Sequence, residues 1–438
     1  MLIEIKTMGC RLNHAETAAI AGALEADGHD ICEASATTTP NIPDAFLLHT
    51  CAVTGAAQNE ALRLTRSAKK RGIPIVAVSG CGVGASDCSA FSEAGADLVI
   101  DKNNRAVTGD DQFNLGRIIL SAASIGGGAS STTPKPSSTR AFVKIQDGCN
   151  FRCAYCIVPD ARGAPVSRSA DETLREIEAL GARGFREFVL TGVNVAMWRH
   201  NSESLCGLIS KISALDCVSR IRLSSIEPAT TESAVIDLMS VAESRLCHAL
   251  HYPLQSADNN VLRLMRRRYT AEQYAATLDY AASKIPRLGL GADVITGFPG
   301  ETDAAFENTR AFILARPFTY LHVFPYSERP GTPAAEMPNK VPVNIRRDRA
   351  RELIAIGKEK SAAFAKSLIG AELEALIERV DPDGAGHGWT SEYAAARVTG
   401  LSPSDSGRVI RFIARSANDA VVGNSLLRHE NADANLSP

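Results

Sequence analysis

At 438 residues the chain is too long for one ordinary core and reads as two or three domains. Hydrophobic residues make up 45% and charged residues 22%, with a formal net charge of −2, so the composition is that of a soluble globular protein and any basic surface must be local. No apolar run approaches membrane-spanning length, and Met1 leads straight into a strand-like Leu-Ile-Glu-Ile-Lys, so neither a membrane partner nor export is expected and the cytoplasm is the expected compartment. Eleven cysteines in such a chain argue for metal or redox chemistry over a disulfide framework.

The first block, 1–120, alternates strand and helix patterns: strand Leu2–Lys6, helix His14–Ala26, strand Ala45–His49, helix Ala56–Arg71, strand Ile73–Ser79. That order predicts an open parallel sheet. Cys10, Cys51 and Cys81 each fall one to four residues beyond one of these strands. Adjacent parallel strands lie about 4.8 Å apart, so three loops at one sheet edge can converge on one object. Buried cysteines are usually small hydrophobes, but three at equivalent positions, two preceded by glycine, favour a second metal site. Cys32, Cys88, Cys206, Cys217 and Cys247 show no such pattern and are expected to be structural.

Residues 121–139 (SAASIGGGASSTTPKPSST) are low-complexity and read as a flexible linker. Beyond it, 140–367 repeats strand and helix patterns. Strands are predicted at Ala141–Gln146, Glu187–Thr191, Arg220–Ser225, His248–Leu254, Leu288–Thr296 and Tyr320–Tyr326, with helices such as Asp171–Arg183, Ala271–Lys284 and Asp303–Ala315 between them. Six βα units predict a partial (β/α)6 barrel with its site at the carboxyl ends of the strands. Just beyond the first strand lies Cys-Asn-Phe-Arg-Cys-Ala-Tyr-Cys, which places Cys149, Cys153 and Cys156 within eight residues. Thiolates hold iron–sulfur clusters, and three ligands on a four-iron cubane leave one iron open. A disulfide is disfavoured without a secretory leader, and structural zinc wants a fourth ligand that does not follow. From 368 to 428, Leu373–Val380, Tyr393–Val398 and Arg408–Ala417 read as strands of a small all-β barrel, followed by a polar tail, 429–438.

The C-x3-C-x2-C spacing, with Tyr155 before the last cysteine, resembles the radical S-adenosylmethionine (SAM) enzymes. Gly-Cys-Arg-Leu-Asn with Glu16, Thr-Cys-Ala-Val-Thr and Gly-Cys81 ahead of such a domain resemble the methylthiotransferases. The match continues through Arg162-Gly163, Leu-Thr-Gly-Val-Asn at 190–194, Ser225-Ile-Glu-Pro, His251-Tyr-Pro-Leu-Gln-Ser and Asp293-Val-Ile-Thr-Gly-Phe-Pro-Gly-Glu-Thr, and so covers nearly the whole chain. The resemblance implies two 4Fe-4S clusters, SAM, a low-potential electron donor and a sulfur donor. The Cys149/Cys153/Cys156 cluster would reduce SAM to a 5′-deoxyadenosyl radical that abstracts hydrogen. The Cys10/Cys51/Cys81 cluster would carry the sulfur, which a second SAM methylates. Tyr155, Gly192, Asn194, Glu227 and Gln255 are the expected SAM-binding residues, Gly192 by allowing close backbone approach.

Family members modify a hypermodified adenosine beside the tRNA anticodon or an aspartate of a ribosomal protein. His322-Val-Phe-Pro-Tyr-Ser, Arg329-Pro-Gly-Thr-Pro-Ala and Gly-Cys-Arg-Leu-Asn resemble the branch acting on threonylcarbamoyladenosine. Isopentenyladenosine, the ribosomal aspartate and a metal-stabilised RNA-binding protein without catalysis are the alternatives. The C-terminal barrel resembles the RNA-holding TRAM domain, yet residues 371–438 contain six arginines against ten acidic residues. Arg267, Arg346, Arg347, Arg397 and Arg411 are the expected RNA contacts, in basic clusters that also suit a solvated helix face.

Overall fold

The computed structural model describes residues 1–34, 42–84, 88–102, 106–109, 111, 114–123, 139–241, 244–418 and 420–426. In the N-terminal part six strands form one sheet, in the order Asp30–Glu33, Leu2–Thr7, Ala45–Thr50, Ile75–Gly80, Leu98–Asp101, Ala106–Thr108. The first five are parallel and the last is an antiparallel edge. Helices cover both faces, so the central strand Ala45–Thr50 is buried along its whole length, as an internal parallel strand must be. The first helix, Arg11–Ala26, starts three residues earlier than its apolar pattern indicated, directly after Cys10. Helix Leu115–Ala123 runs into the stretch read as linker from 121. The rest of that stretch, 124–138, and the tail 429–438 lie outside the described residues.

The central part is the expected partial barrel. Strands Arg140–Lys144, Glu187–Thr191 and Arg220–Leu223 form one parallel triplet, and Ala249–His251, Gly289–Thr296 and Tyr320–Pro325 a second. Ile221 N donates to Arg245 O at 2.7 Å and Cys247 N to Ile221 O at 2.8 Å, which joins the triplets. Helices Ala271–Lys284 and Asp303–Ala315 match the sequence reading end to end because Thr270 and Thr302 cap their first turns. Leu290, Ala292 and Val294 face these helices, so the alternate residues Gly291, Asp293 and Ile295 face the other way, into the lumen.

A 25-residue helix, Val343–Ser367, packs along strand Tyr320–Pro325 and leads into a closed five-stranded barrel. Two of its strands, Gly386–Thr390 and Val421–Ser425, lack the long β-branched runs that mark the others. Tyr393, expected in a strand, instead sits in a turn with φ 63°, and its strand begins at Ala395. This turn is seated against the amino ends of the central strands. Arg222 donates to Thr390 O at 3.0 Å and Ser391 O at 3.3 Å, Arg220 to Trp389 O at 3.0 Å, and Ser391 Oγ accepts from His248 N at 2.9 Å. No helix among the described residues is long and apolar enough to cross a membrane.

Arg220 and Arg222 are both held by the buried Glu187 carboxylate, with Nε–O distances of 2.8 and 3.0 Å. Burial pushes the Glu187 pKa up, but the two guanidiniums outweigh it and hold the carboxyl at about 2. A depressed carboxyl stabilises the fold above its unfolded value, and that contribution is lost as pH falls through the folded value. The native state should therefore lose about 3 kcal/mol between pH about 4.5 and about 2 from this group. Acid unfolding followed by circular dichroism checks this: Glu187→Gln should start less stable at neutral pH and show a shallower slope in that window.

Candidate functional site

Strands Leu2–Thr7, Ala45–Thr50 and Ile75–Gly80 are immediate neighbours in register, Thr7 beside His49 and Thr50 beside Gly80. Their carboxyl ends therefore deliver Cys10, Cys51 and Cys81 to one edge of the sheet. Two glycines make the approach possible. Gly9 has φ 98°, and a Cβ there would lie 2.7 Å from Cys51 Cβ and 2.8 Å from its Sγ. Gly80 has φ 96°, and a Cβ there would meet Thr50 O at 2.6 Å. Asn13 clasps the loops by donating to Met8 O and Thr50 O, both at 2.8 Å. Burial pushes the Cys81 thiol up to about 12, against the Arg162 guanidinium, while negative charge on Glu16, Cys10 and Cys51 adds to the rise.

The second trio lies on the loop after strand Arg140–Lys144. Gly148, at φ 70°, turns the chain where a Cβ would meet Ala164 O at 2.0 Å. Cys149 N donates to Gly163 O, Cys156 N to Cys153 O and Phe151 N to Cys149 Sγ, at 3.0 to 3.3 Å. Ala154 N donates to Met265 O at 2.9 Å and Ala154 O accepts from Ala334 N at 2.8 Å, which ties the loop to the far side of the barrel. Burial pushes the Cys156 thiol up to about 12, with Cys153 and Cys149 adding to the rise. Buried thiols of this kind give up their protons readily only to a bound metal.

One buried side chain touches both neighbourhoods. Arg162 donates to Cys81 Sγ at 2.9 Å, Asn13 Oδ1 at 2.8 Å, Glu16 at 3.0 and 3.1 Å, and Asp147 at 2.9 Å. Lys144 and Lys102 also bind Glu16 and Asp147. Asp147 lies two residues before Cys149, so this charge cluster connects the two trios.

Residues 143–313 match the model of the radical SAM superfamily, and residues 2–101 that of an uncharacterized protein family, UPF0004. Over 86% of its length the chain is 33% identical to threonylcarbamoyladenosine tRNA methylthiotransferase MtaB of Bacillus subtilis (strain 168), covering 84% of that protein. It is 30% identical, over 97% of both proteins, to tRNA-2-methylthio-N(6)-dimethylallyladenosine synthase of Opitutus terrae. The chain belongs to the radical SAM methylthiotransferase family. It is an enzyme that transfers sulfur-containing groups, with 4Fe-4S clusters and SAM as its cofactors. The radical SAM methyltransferase TsrM of Kitasatospora setae, at 13% identity and a TM-score of 0.54 over 76% of this chain and 77% of that one, shares its fold.

For a methylthiotransferase, the surroundings of the second trio fit a bound polar cofactor. Asn194 Oδ1 and Glu227 Oε1 are buried without a partner and lie at the carboxyl ends of adjacent strands. An unpaired buried oxygen is costly, so both are available to a ligand's donors. Gly192 lies against Gln146, where a Cβ would sit 2.8 Å from its carbonyl oxygen. Gln255 takes φ 63° and pairs its backbone with Asp293 and Ile295. Tyr155 is half-buried and packs edge-on to Phe298 at 6.3 Å.

Two expected RNA contacts are placed elsewhere. Arg267 is buried, donating to Cys153 Sγ at 3.3 Å, Tyr155 OH at 3.4 Å and Glu227 Oε2 at 2.6 Å, so it belongs to the second trio. Arg346 is buried on Val341 O and Tyr326 O. Arg347 is exposed, while Arg397 pairs with Asp383 at 3.1 Å and Arg411 with Glu372 at 3.6 Å. The sequence motifs that contain Arg162 and Glu16 assign neither a role; only their three-dimensional contacts do.

Gly9→Ala should force Cys51 out of place. Iron analysis of the reconstituted protein should then show about half the wild-type content, the Cys149–Cys156 loop remaining loaded.

Proposed function

We propose that this enzyme methylthiolates threonylcarbamoyladenosine beside the anticodon of tRNA, in the cytoplasm. The observation that carries the reading is the pair of three-cysteine sites locked together through Arg162. Cys149, Cys153 and Cys156 hold one cluster; Cys10, Cys51 and Cys81 hold the other. When bound, these clusters supply the electron that cleaves SAM and the seat for the transferred sulfur. Asn194, Glu227, Gln255 and the Gly192 backbone hold SAM by its polar groups, and Tyr155 walls the pocket. Arg267 keeps a positive charge beside Cys153 while Glu227 fixes its direction. Arg162 does the same at Cys81, with Glu16 and Asp147. The threonylcarbamoyl branch is supported by two relatives of that name, at 33% and 34% identity over 86% of this chain. A low-potential electron donor and a sulfur donor complete the reaction.

Mass spectrometry of tRNA nucleosides from cells with and without the gene tests the substrate. Loss of methylthio-threonylcarbamoyladenosine is expected; an unchanged level would redirect attention to isopentenyladenosine and the ribosomal aspartate. Division of labour is checked in vitro. Cys10→Ala should retain SAM cleavage under reductant and lose thiolation, whereas Cys153→Ala should lose both.

A further inference from the structure

Below the two cysteine trios, three side chains on adjacent strands of the second triplet face the lumen. Asp293 lies beside His322 in register, and His251 beside Gly291, which in turn lies beside Tyr320. Asp293 Oδ1 is 3.0 Å from His251 Nε2 and 3.3 Å from His322 Nδ1, and the three atoms lie within 4.8 Å of one another. The His251 and His322 rings are 5.0 Å apart, and Tyr320 packs on both at 5.6 and 5.4 Å. His251 Nδ1, pointing away from the group, meets Tyr320 OH at 3.1 Å. Gly291 is needed for this: a Cβ there would fall 2.0 Å from the Tyr320 ring.

We propose that His251, Asp293 and His322 form a third metal site, a two-histidine, one-carboxylate face for a single divalent first-row cation such as Mn(II) or Fe(II). Ligands about 2.1 Å from such an ion are about 3.0 Å apart when octahedral and about 3.4 Å apart when tetrahedral. Two of the three ligand pairs, at 3.0 and 3.3 Å, fall in that interval, and the two histidine nitrogens lie within 4.8 Å of each other. The outer partner is also in place, since a ligating histidine normally donates its other ring N–H to an acceptor, here His251 Nδ1–H to the Tyr320 hydroxyl oxygen. His251 is 7% exposed, Asp293 24% and His322 49%, so one side of the site is closed by protein and the other opens to the lumen. The open coordination positions would take hard oxygen donors, carboxylate or hydroxyl, from a molecule bound there. Nothing in this inference depends on which nucleoside or protein is the substrate.

The test is Mn(II) titration of the full chain with both clusters loaded and oxidised, so that they are silent in electron paramagnetic resonance. The free hexaaqua Mn(II) signal then reports binding away from the cysteines. Uptake of about one Mn(II) per chain is expected, absent in Asp293→Asn and His322→Ala and weakened about tenfold in Tyr320→Phe. Iron and sulfide content, measured on each variant, confirms that the clusters are intact. No uptake by the wild-type protein would overturn the proposal, as would equal uptake by Asp293→Asn and His322→Ala. Either outcome would mean that the three side chains only hydrogen-bond to one another.

Discussion

The architecture depends on burying Arg162 at the junction of the N-terminal and central parts. Taking a guanidinium out of water costs several kcal/mol unless its donors are met by charged partners in good geometry. Arg162 meets that condition only when Asn13, Glu16 and Cys81 from one part and Asp147 from the other surround it together. Docking of the parts and satisfaction of the charge are thus one event. Among the described residues the cluster brings together two carboxylates, Glu16 and Asp147, and three cations, Lys102, Lys144 and Arg162. His49, on Glu16, adds little positive charge because burial lowers its pKa. Arg162 places its positive charge beside Cys81, where a thiolate-held cluster would bring negative charge. A core built this way has few alternative arrangements, and the spacing between the two cysteine trios follows from it.

A second constraint acts at the other end of the central barrel. The acidic C-terminal module is hard to understand as a phosphate-binding surface, and its arginines bear this out. Arg379, Arg397, Arg408 and Arg411 are each paired with an Asp or Glu of the same module. What the module presents to the central part is a turn. Tyr393 stacks on Trp389 at 4.7 Å and packs on Tyr320 at 5.2 Å, and its hydroxyl accepts from Arg11 of the N-terminal part at 2.8 Å. All three parts of the chain meet at this ring, which closes the lumen beneath His251, Asp293 and His322. A lumen closed at one end keeps water from reactive intermediates, whatever the module does for RNA.

Legibility followed how local each signal is. The cysteine trios could be read because each lies a fixed, short distance beyond a strand whose apolar run is plain, and sheet order does the rest. Helices with a Thr cap and a clean period, such as Ala271–Lys284, were readable to the residue. Gly386–Thr390 was not, since Gly-His-Gly has little strand propensity and pairs only because Glu372–Val380 and Ala395–Thr399 flank it. Arginine was the least readable residue. A run of Lys and Arg looks alike whether it faces solvent or, as with Arg267 and Arg346, turns single side chains inward. The His251/Asp293/His322 group joins residues from three strands, and no spacing in the chain announces it.

The two cysteine trios share a pattern that neither motif alone displays. At each, one buried arginine donates to one thiol, Arg162 to Cys81 and Arg267 to Cys153, and one buried glutamate, Glu16 or Glu227, aims that arginine. The physical reason is common to both. A thiolate-ligated cluster would bring negative charge into a low-dielectric interior, and a charge-assisted donor at a ligand sulfur would offset it. An arginine alone would leave donors unmet whenever the cluster is absent, and the glutamate removes that cost. The sites differ in what surrounds the glutamate. Burial tends to raise Glu16, but Arg162, Lys144 and Lys102 overcome it and hold its carboxyl well below the usual range. At Glu227 burial prevails over Arg267 and the carboxyl is raised. Glu16 is therefore saturated with cations and serves structure, whereas Glu227 keeps one buried oxygen unpartnered. The same arginine–glutamate device thus anchors the domain junction at one trio and leaves an acceptor for a ligand at the other.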